Sequence, residues 1–556
     1  MLIFYGWRTE IRGAQYMEQV TREPMVLAAN HVSFLDGPLY GCLFPPELIT
    51  TINGQMGRRG YGGWLAKRHR VIIIDTNESF AIRDMARALR QGASCQIFPE
   101  GRLTRDGSLS RIYIGAAVLA QQEKVPVLPV YAQGLQYSPF SHLRGRVRSH
   151  FFPKLRLTFL PPRYPDLPKD LRGSARRAAL KSFIGDAMLE AQVIGTHIEE
   201  NLTTHFEHLC RYVLRPKQVL VEEGDLSIDV RSIRRCLRRG IAGLPTGSGS
   251  AVAVAMKPSI ALILTVMALW REGRAVVPLD PDDGIDIWIE SCQAAAAKDI
   301  LLSAKTPQLV SHEALKEAGL TPHDIDPALP ASSKPRRSAI QGPSSPALVL
   351  PFAGNDGQPM VLTHQNLLAN RARMAACLAF NPPDAVLTSY GVTHAAGLLG
   401  GMLLPILCGC RLVLMPEPLT GSRLVGELSM KRVHTALIDT ETLRGMGQQA
   451  DPLDFRFLEQ LVCPGETVDS EWRRHITDRH GLRPLPALID ARGGGWVSTV
   501  TPRDYRPDRF GRPMPLTDVT ISEDGLHLMG DAVPLAGGFI PGQWRLDGDR
   551  FLTNIE

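Results

Sequence analysis

Short apolar runs alternate with stretches of helical spacing over the first 200 or so positions. Val26-Leu27-Ala28-Ala29, Val71-Ile72-Ile73-Ile74, Cys95-Gln96-Ile97-Phe98 and Val127-Leu128-Pro129-Val130-Tyr131 each read as a short buried strand. Ser79 to Arg90 and Ala116 to Glu123 carry helical spacing between them, and a helix from about Ser174 to Ile194 closes the segment. Strands alternating with helices predict an α/β layer fold. A new pattern begins near Leu202. It predicts helices to about Arg239, an apolar Gly- and Ser-containing run from Gly243 to Ala255, a helix over Ser259 to Glu272 and a strand at Val276-Val277-Pro278-Leu279. Leu329 to Pro346, rich in Pro and Ser, predicts a loop. A further α/β run covers Ala347 to about Leu485, and Gly493 to Glu556 is Gly- and Pro-rich with short β signals. No internal repeat is visible. The pattern predicts two α/β domains, 1-200 and 201-556.

Composition narrows this little. The chain has 556 residues, 44% hydrophobic and 21% charged, which is ordinary for a globular protein. A formal net charge of +6 does not point to nucleic acid, and none is expected as a partner. Local basic clusters stand out more: Arg58-Arg59, Lys67-Arg68-His69-Arg70, Arg144/Arg146/Arg148, and Arg234-Arg235 with Arg238-Arg239. Each reads as a solvated face or as a contact for anionic lipid headgroups, where a basic residue contributes about 1 kcal/mol. The nine cysteines have no zinc spacing, so no metal is expected, and their scatter suggests reduced thiols. The apolar start at Met1-Leu2-Ile3-Phe4-Tyr5 meets Arg8 and Glu10 too soon for a signal peptide. No run reaches the roughly 20 apolar residues of a membrane span; Ile260 to Trp270 and Ala395 to Cys410 come nearest. If the protein meets a membrane, it is expected to lie on the surface, with Gly54 to Trp64 as a candidate contact loop.

Three motifs in the first half carry chemistry. Asn30-His31-Val32-Ser33-Phe34-Leu35-Asp36 follows a strand. A His beside a carboxylate can act as a general base, the Asp fixing the ring tautomer and stabilising the imidazolium. A spacing of five places two residues about 140° apart on a straight helix, so His31 and Asp36 need a turn to converge, with Asn30 or Ser33 as cap. Phe98-Pro99-Glu100-Gly101-Arg102-Leu103-Thr104 also follows a strand. Gly101 admits close backbone approach, Arg102 offers a planar fork to a phosphate, and Glu100 could bind a glycerol hydroxyl or orient Arg102. Val125-Pro126-Val127-Leu128-Pro129-Val130 predicts an edge strand, because proline lacks an N–H. Each motif alone fits an ordinary turn, salt bridge or edge.

Their order and separation over residues 15 to 195 resemble the glycerolipid acyltransferase family. Ile97 to Thr104 with Gly107-Ser108-Leu109 and Ile112-Tyr113 resembles more particularly the bifunctional 2-acylglycerophosphoethanolamine acyltransferase/acyl-(acyl-carrier-protein) synthetase family. The resemblance implies that His31 and Asp36 form the catalytic pair. It also implies substrate contacts from Asn30, Glu100, Gly101, Arg102 and Thr104, with the glycerol phosphate held at Glu100-Gly101-Arg102. Relatives that use lysophosphatidic acid often carry an Arg after the second strand, where this chain has Asp75-Thr76. That departure favours a lysophospholipid with a headgroup.

In the second half, Ala347 to Pro359 followed by Leu362-Thr363-His364 resembles the phosphate loop of adenylate-forming enzymes. Gly354, Gly357 and Pro359 remain. The hydroxyl-bearing residues are gone, Asp356 adds negative charge, and Met360 stands where a Lys should follow, which is wrong electrostatically for a triphosphate. Ile489-Asp490-Ala491-Arg492-Gly493-Gly494-Gly495 replaces a Gly-Tyr-Gly-x-Thr-Glu motif, no ribose-binding Thr-Gly-Asp is recognised near Trp544 to Asp549, and a small C-terminal domain with a catalytic Lys is expected to be absent. His394 and Gly397 match a His-x-x-Gly that lines the acyl pocket of acyl-activating relatives, although His394 also reads as a core histidine.

The sequence therefore predicts an N-terminal glycerolipid-acyltransferase-like α/β domain followed by a truncated, degenerate adenylate-forming α/β domain. The activity expected is transfer of a fatty acyl chain from acyl-carrier protein or acyl-CoA to a lysophospholipid, 2-acylglycerophosphoethanolamine among them. It needs no cofactor, ATP and magnesium are not expected, and the site is the cytoplasmic face of the inner membrane. A 1-acylglycerol-3-phosphate acyltransferase and a non-catalytic acyl-binding or scaffold module are the competing readings.

Overall fold

The computed structural model describes residues 8–554, apart from 45–47, 54–70, 75–77, 169, 197–199, 242–243, 246–250, 304–309, 326–340, 355–356, 418–420, 466–467, 502–504, 535–536 and 548–549. The loop Gly54 to Trp64, the clusters at 58–59 and 67–70, Thr76, Asp356 and most of the Pro/Ser-rich stretch lie outside the described residues. The chain divides into two compact units, Met1–His197 and Ile198–Glu556.

In the first unit the elements run β1 (Thr9–Arg12), α1 (Ala14–Gln19), β2 (Val26–Ala29), α2 (Asp36–Leu43), β3 (Ile49–Asn53), β4 (Val71–Ile74), α3 (Glu78–Arg90), β5 (Cys95–Ile97), α4 (Gly115–Glu123), β6 (Val127–Gln133), β7 (Leu155–Phe159) and α5 (Gly173–Thr196). They form one seven-stranded sheet in the order β1-β7-β6-β2-β5-β3-β4. All pairings are parallel except β6 with β7. β2 and β6 are buried along almost their whole length, the unbroken apolar pattern of strands covered on both faces. α5 lays Leu180, Ile184 and Met188 at helical spacing into a core shared with Ala116, Ala120 and Val127. α4 ends where Lys124 turns left-handed at φ 55°.

β6 is not the edge strand that its prolines predict: it lies between β7 and β2. Pro129 is tolerated because its side of the ladder faces the turn after β7. There Leu160 donates its N–H to the Pro129 carbonyl (3.0 Å), and the neighbouring chain is itself Pro161-Pro162 before pairing resumes at Arg163 with Val127.

The second unit holds two larger sheets. A six-stranded sheet runs in the order Thr321–Ile325, Asp299–Ser303, Ala251–Ala255, Ala275–Leu279, Pro346–Leu350, Met360–Thr363, parallel except for the last pair. A nine-stranded sheet has a parallel centre, with Ala385–Thr388 between Arg411–Leu414 and Thr435–Leu437. The helix Ile260–Glu272 is capped by Ser259, whose side chain accepts the N–H of Leu262. The helical expectation from Leu202 to Arg239 holds only at its two ends. Val219–Glu223 and Leu226–Asp229 form an antiparallel hairpin between them, turned at Gly224 with φ 56°. All nine cysteines are free. Among the described residues no helix is long and apolar enough to cross a membrane.

Candidate active site

The register sets the first site. Val26 of β2 faces both Cys95 of β5 and Val127 of β6, and Ala28 faces Ile97. The residues just past β2 and β5 are therefore neighbours at the carboxyl end of a parallel sheet, where such folds place their ligands. Those residues are Asn30-His31 and Phe98-Pro99-Glu100.

His31 lies in the turn before α2. Its Nδ1 is 2.9 Å from Oδ2 of Asp36, the first residue of that helix. The same oxygen accepts the N–H groups of Val32 (2.7 Å) and Ser33 (2.9 Å). So Asp36 itself closes the turn that brings the pair together. The expectation of an Asn30 or Ser33 cap is corrected: no side chain caps α2, whose N-cap is Leu35. Asp36 is fully buried, whereas the His31 side chain keeps 22% of its surface open. One ring face stacks on Phe98, centroids 4.1 Å apart. With Nδ1 engaged, Nε2 is the nitrogen left to exchange protons with a substrate. Tyr40, one turn along α2, is buried, and burial together with the Asp36 charge pushes its phenol well above the usual range.

The Glu100 loop grips His31 by its backbone. Oε1 of Glu100 accepts the His31 N–H (2.8 Å), Oε2 accepts the Ser110 N–H (2.7 Å), and the Thr104 N–H donates to the His31 carbonyl (2.9 Å). Burial pushes the Glu100 carboxyl above its usual range, opposed by those two N–H groups. Neither oxygen is bonded to Arg102, so the expectation that Glu100 orients Arg102 is corrected. Two further residues expected to touch substrate have other partners. Asn30 is buried and clamps β6, donating to the Ala132 carbonyl (3.0 Å) and accepting the Ala132 N–H (2.6 Å). Thr104 is buried and its hydroxyl donates to the Ser108 carbonyl (2.8 Å) while accepting the Gly107 N–H (3.0 Å). Gly101 and Arg102 are exposed. Gly101 sits at φ 65°, and a Cβ there would meet the Tyr113 ring at 3.5 Å. Phe98 and Ser110 are the supporting residues that sequence reasoning missed; the aromatic heading the Pro-Glu-Gly-Arg run was the available signal for Phe98.

In the second unit, Gly354 donates its N–H to the Gln358 carbonyl (2.8 Å), and a Cβ at Gly354 would lie 2.6 Å from that oxygen. Gly357 takes φ 73°, and Pro359 leads into the strand Met360–Thr363. Met360 is buried in the ladder opposite Leu350. Asp490 binds Arg492 with both oxygens (2.9 and 2.6 Å). His394 is exposed rather than a core residue; its ring stacks on Tyr390 (4.6 Å) and Nδ1 accepts the Ala396 N–H (3.1 Å). Partial enclosure lowers its pKa, with the Asp490 charge acting in the opposite sense. Gly397 is required by close approach, since a Cβ would lie 2.0 Å from the Gly391 carbonyl oxygen.

The family model described as "Acyltransferase" matches residues 8–133, and one described as "AMP-binding enzyme" matches residues 224–538. 1-Acyl-sn-glycerol-3-phosphate acyltransferase alpha of Homo sapiens is 32% identical over 142 residues, 24% of this chain and 48% of that protein. Lyso-ornithine lipid O-acyltransferase of Pseudomonas aeruginosa is 32% identical over 115 residues, 20% of this chain and 44% of that protein. Surfactin synthase subunit 1 of Bacillus subtilis is 24% identical over 302 residues, 52% of this chain and 8% of that protein. The chain spans less than half the length of these curated relatives. Among solved structures, VinN with L-aspartate matches with a TM-score of 0.56 at 16% identity, covering 65% of this chain and 100% of that one. A benzoate CoA ligase from Burkholderia xenovorans LB400 matches with a TM-score of 0.56 at 17% identity, covering 64% and 79%. At such identities the likeness establishes the fold. The AMP-binding match ends at residue 538, before Trp544 to Asp549, and Met529-Gly530-Asp531 lies inside it.

Proposed function

The chain belongs to the AMP-binding enzyme family and carries an acyltransferase domain ahead of it, and from that premise we propose that its first unit transfers a fatty acyl group from a thioester to the hydroxyl of a lysophospholipid. The His31–Asp36 pair is the observation that carries this reading. Nε2 of His31 takes the proton of the acceptor hydroxyl, and the oxygen attacks the thioester carbonyl. Asp36 holds Nδ1–H and stabilises the imidazolium. Collapse of the tetrahedral intermediate breaks the C–S bond, and the imidazolium returns the proton to the leaving thiolate. Gly101 and Arg102 receive the acceptor phosphate, Arg102 by its planar fork. Asn30, Glu100 and Thr104 act as positioning residues. The protein works at a membrane surface, where its acceptor resides, with acyl-carrier protein or CoA as carrier.

The second unit does not adenylate in this reading. Buried Met360 supplies no cation to a triphosphate, and the Asp490–Arg492 pair occupies the segment where the Thr-Glu of active relatives would fall. It serves as an acyl-binding or carrier-docking module, with His394 at the acyl pocket. Gly530-Asp531 is the feature that speaks for retained nucleotide binding.

A second reading, 1-acylglycerol 3-phosphate as acceptor, is favoured by the similarity of the first unit to the human 1-acyl-sn-glycerol-3-phosphate acyltransferase alpha. The deciding experiment is acyl transfer from labelled acyl-carrier protein and acyl-CoA to a panel of lysophospholipids that includes 1-acylglycerol 3-phosphate, without ATP, together with ATP–pyrophosphate exchange. Wild type is expected to transfer, His31→Ala to lose roughly 10²- to 10⁴-fold, and exchange to be absent. An inactive wild type, or an unaffected His31→Ala, overturns the enzymatic reading in favour of a non-catalytic module. Measurable exchange overturns the account of the second unit.

A further inference from the structure

The loop from Ser138 to Pro153 in the first unit presents aromatic rings and guanidinium groups outward from a fixed frame. Leu143 and Val147 anchor it in the core. The N–H groups of Arg146 and Val147 donate to the Leu143 carbonyl (3.0 and 3.3 Å), that of Leu143 to the Ser141 hydroxyl (3.1 Å), and that of His150 to the Tyr137 carbonyl (2.8 Å). On this frame Phe151 and Phe152 stand 72% and 69% exposed, and Phe140 46%. Arg144 and Arg148 are exposed in the same loop. No Asp or Glu occurs between Glu123 and Asp166. The loop is tied to the catalytic turn: the Phe34 N–H donates to the Phe140 carbonyl (3.1 Å), the Ser33 hydroxyl donates to the same oxygen (3.2 Å), and the Phe34 ring meets His142 edge-on at 5.4 Å.

We propose that the 138–153 loop is the membrane-docking surface, with Phe151 and Phe152 entering the headgroup–acyl boundary and Arg144 and Arg148 binding lipid phosphates. Adjacent exposed phenylalanines gain from an apolar phase, and exposed guanidinium groups gain from anionic headgroups. An acidic protein would match the arginines but offers no apolar phase to two phenylalanines. The proposal deepens the lysophospholipid reading, because the loop would set the His31 turn against the phase that holds the acceptor.

The test is flotation of the full chain with vesicles of phosphatidylcholine alone and of phosphatidylcholine mixed with phosphatidylglycerol. Phe151→Ser/Phe152→Ser is expected to weaken binding to both at least tenfold, and Arg144→Glu/Arg148→Glu to abolish the preference for the anionic vesicles, with thermal melts unchanged. Phe152→Trp is expected to shift its emission to the blue on vesicles and to be quenched by brominated lipid. Binding indifferent to both pairs, or tryptophan emission that does not move, overturns the proposal. A salt-sensitive complex with an acidic carrier protein, lost in the arginine pair while vesicle binding persists, assigns the surface to a protein partner instead. Vesicle binding by a wild type that transfers no acyl group would sink the enzymatic reading alone. Transfer to a monomeric lysophospholipid, with vesicle binding unmoved by either pair, would sink the docking surface alone.

Discussion

Glu100 separates two explanations of the same residue. As an acceptor ligand, its loss would raise KM. As the grip on the His31 backbone, its loss would lower kcat. A Gln at this position keeps the size but turns an amide NH₂ toward one of the two N–H groups, leaving that donor unsatisfied at about 1–3 kcal/mol. Glu100→Gln is therefore expected to lower kcat at least tenfold with a smaller change in acceptor KM, and steady-state kinetics over both substrates checks it. A KM-dominated effect would return Glu100 to the acceptor site. This is also where sequence reasoning stops at the residue scale. Residue types at Asn30, Glu100 and Thr104 mark a place that matters, but not whether a polar group faces a ligand or the protein's own backbone. That depends on which carbonyl and N–H groups the neighbouring strands leave unpaired, and spacing along one chain does not contain it.

At the scale of elements, strands buried on both faces were legible because their apolar runs are unbroken, as in β2. β6 was placed at an edge because a proline was weighed without the chain opposite it. The hairpin at Val219–Asp229 was missed although Glu223-Gly224-Asp225 carries a turn signal, since the arginine-rich helix Val230–Arg239 continues a helical pattern on its far side. The junction at His364 makes a testable element. This histidine opens the helix His364–Leu378, is fully buried, and accepts the Leu202 N–H at Nδ1 (3.2 Å). Burial lowers its pKa from 6.5 to about 4. The native state thus binds fewer protons than the unfolded one between those values, and stability held above pH 6.5 is lost as the pH falls toward 4. From pH 7 to pH 5 the expected loss is about 2 kcal/mol. His364→Asn, which keeps an acceptor near Nδ1, is expected to flatten this acid limb while lowering stability at neutral pH, as denaturant unfolding across pH would register. An unchanged slope would locate the acid sensitivity elsewhere.

For the whole molecule, the chain divides into two compact units, each with its own core. A chain built this way is expected to unfold in more than one cooperative step. Scanning calorimetry should give a total enthalpy exceeding the van't Hoff enthalpy, and a single matching transition would show the units to be energetically one. The α/β class of both units was legible from alternation alone. What spacing did not show is that Met360 is buried in the ladder opposite Leu350, because burial depends on the strand beside it.

His31 hangs from two loops that belong to different strands: Asp36 holds its ring, while Glu100 and Thr104 hold its backbone. Selection cannot relax one of these segments and preserve the other. A lineage that abandoned the reaction would be expected to lose both motifs together, and one that changed its acceptor would vary at Gly101, Arg102 and their surroundings while Asn30, Asp36, Glu100 and Thr104 stayed fixed. The two motifs, about 65 positions apart in the sequence, are then inherited as one character.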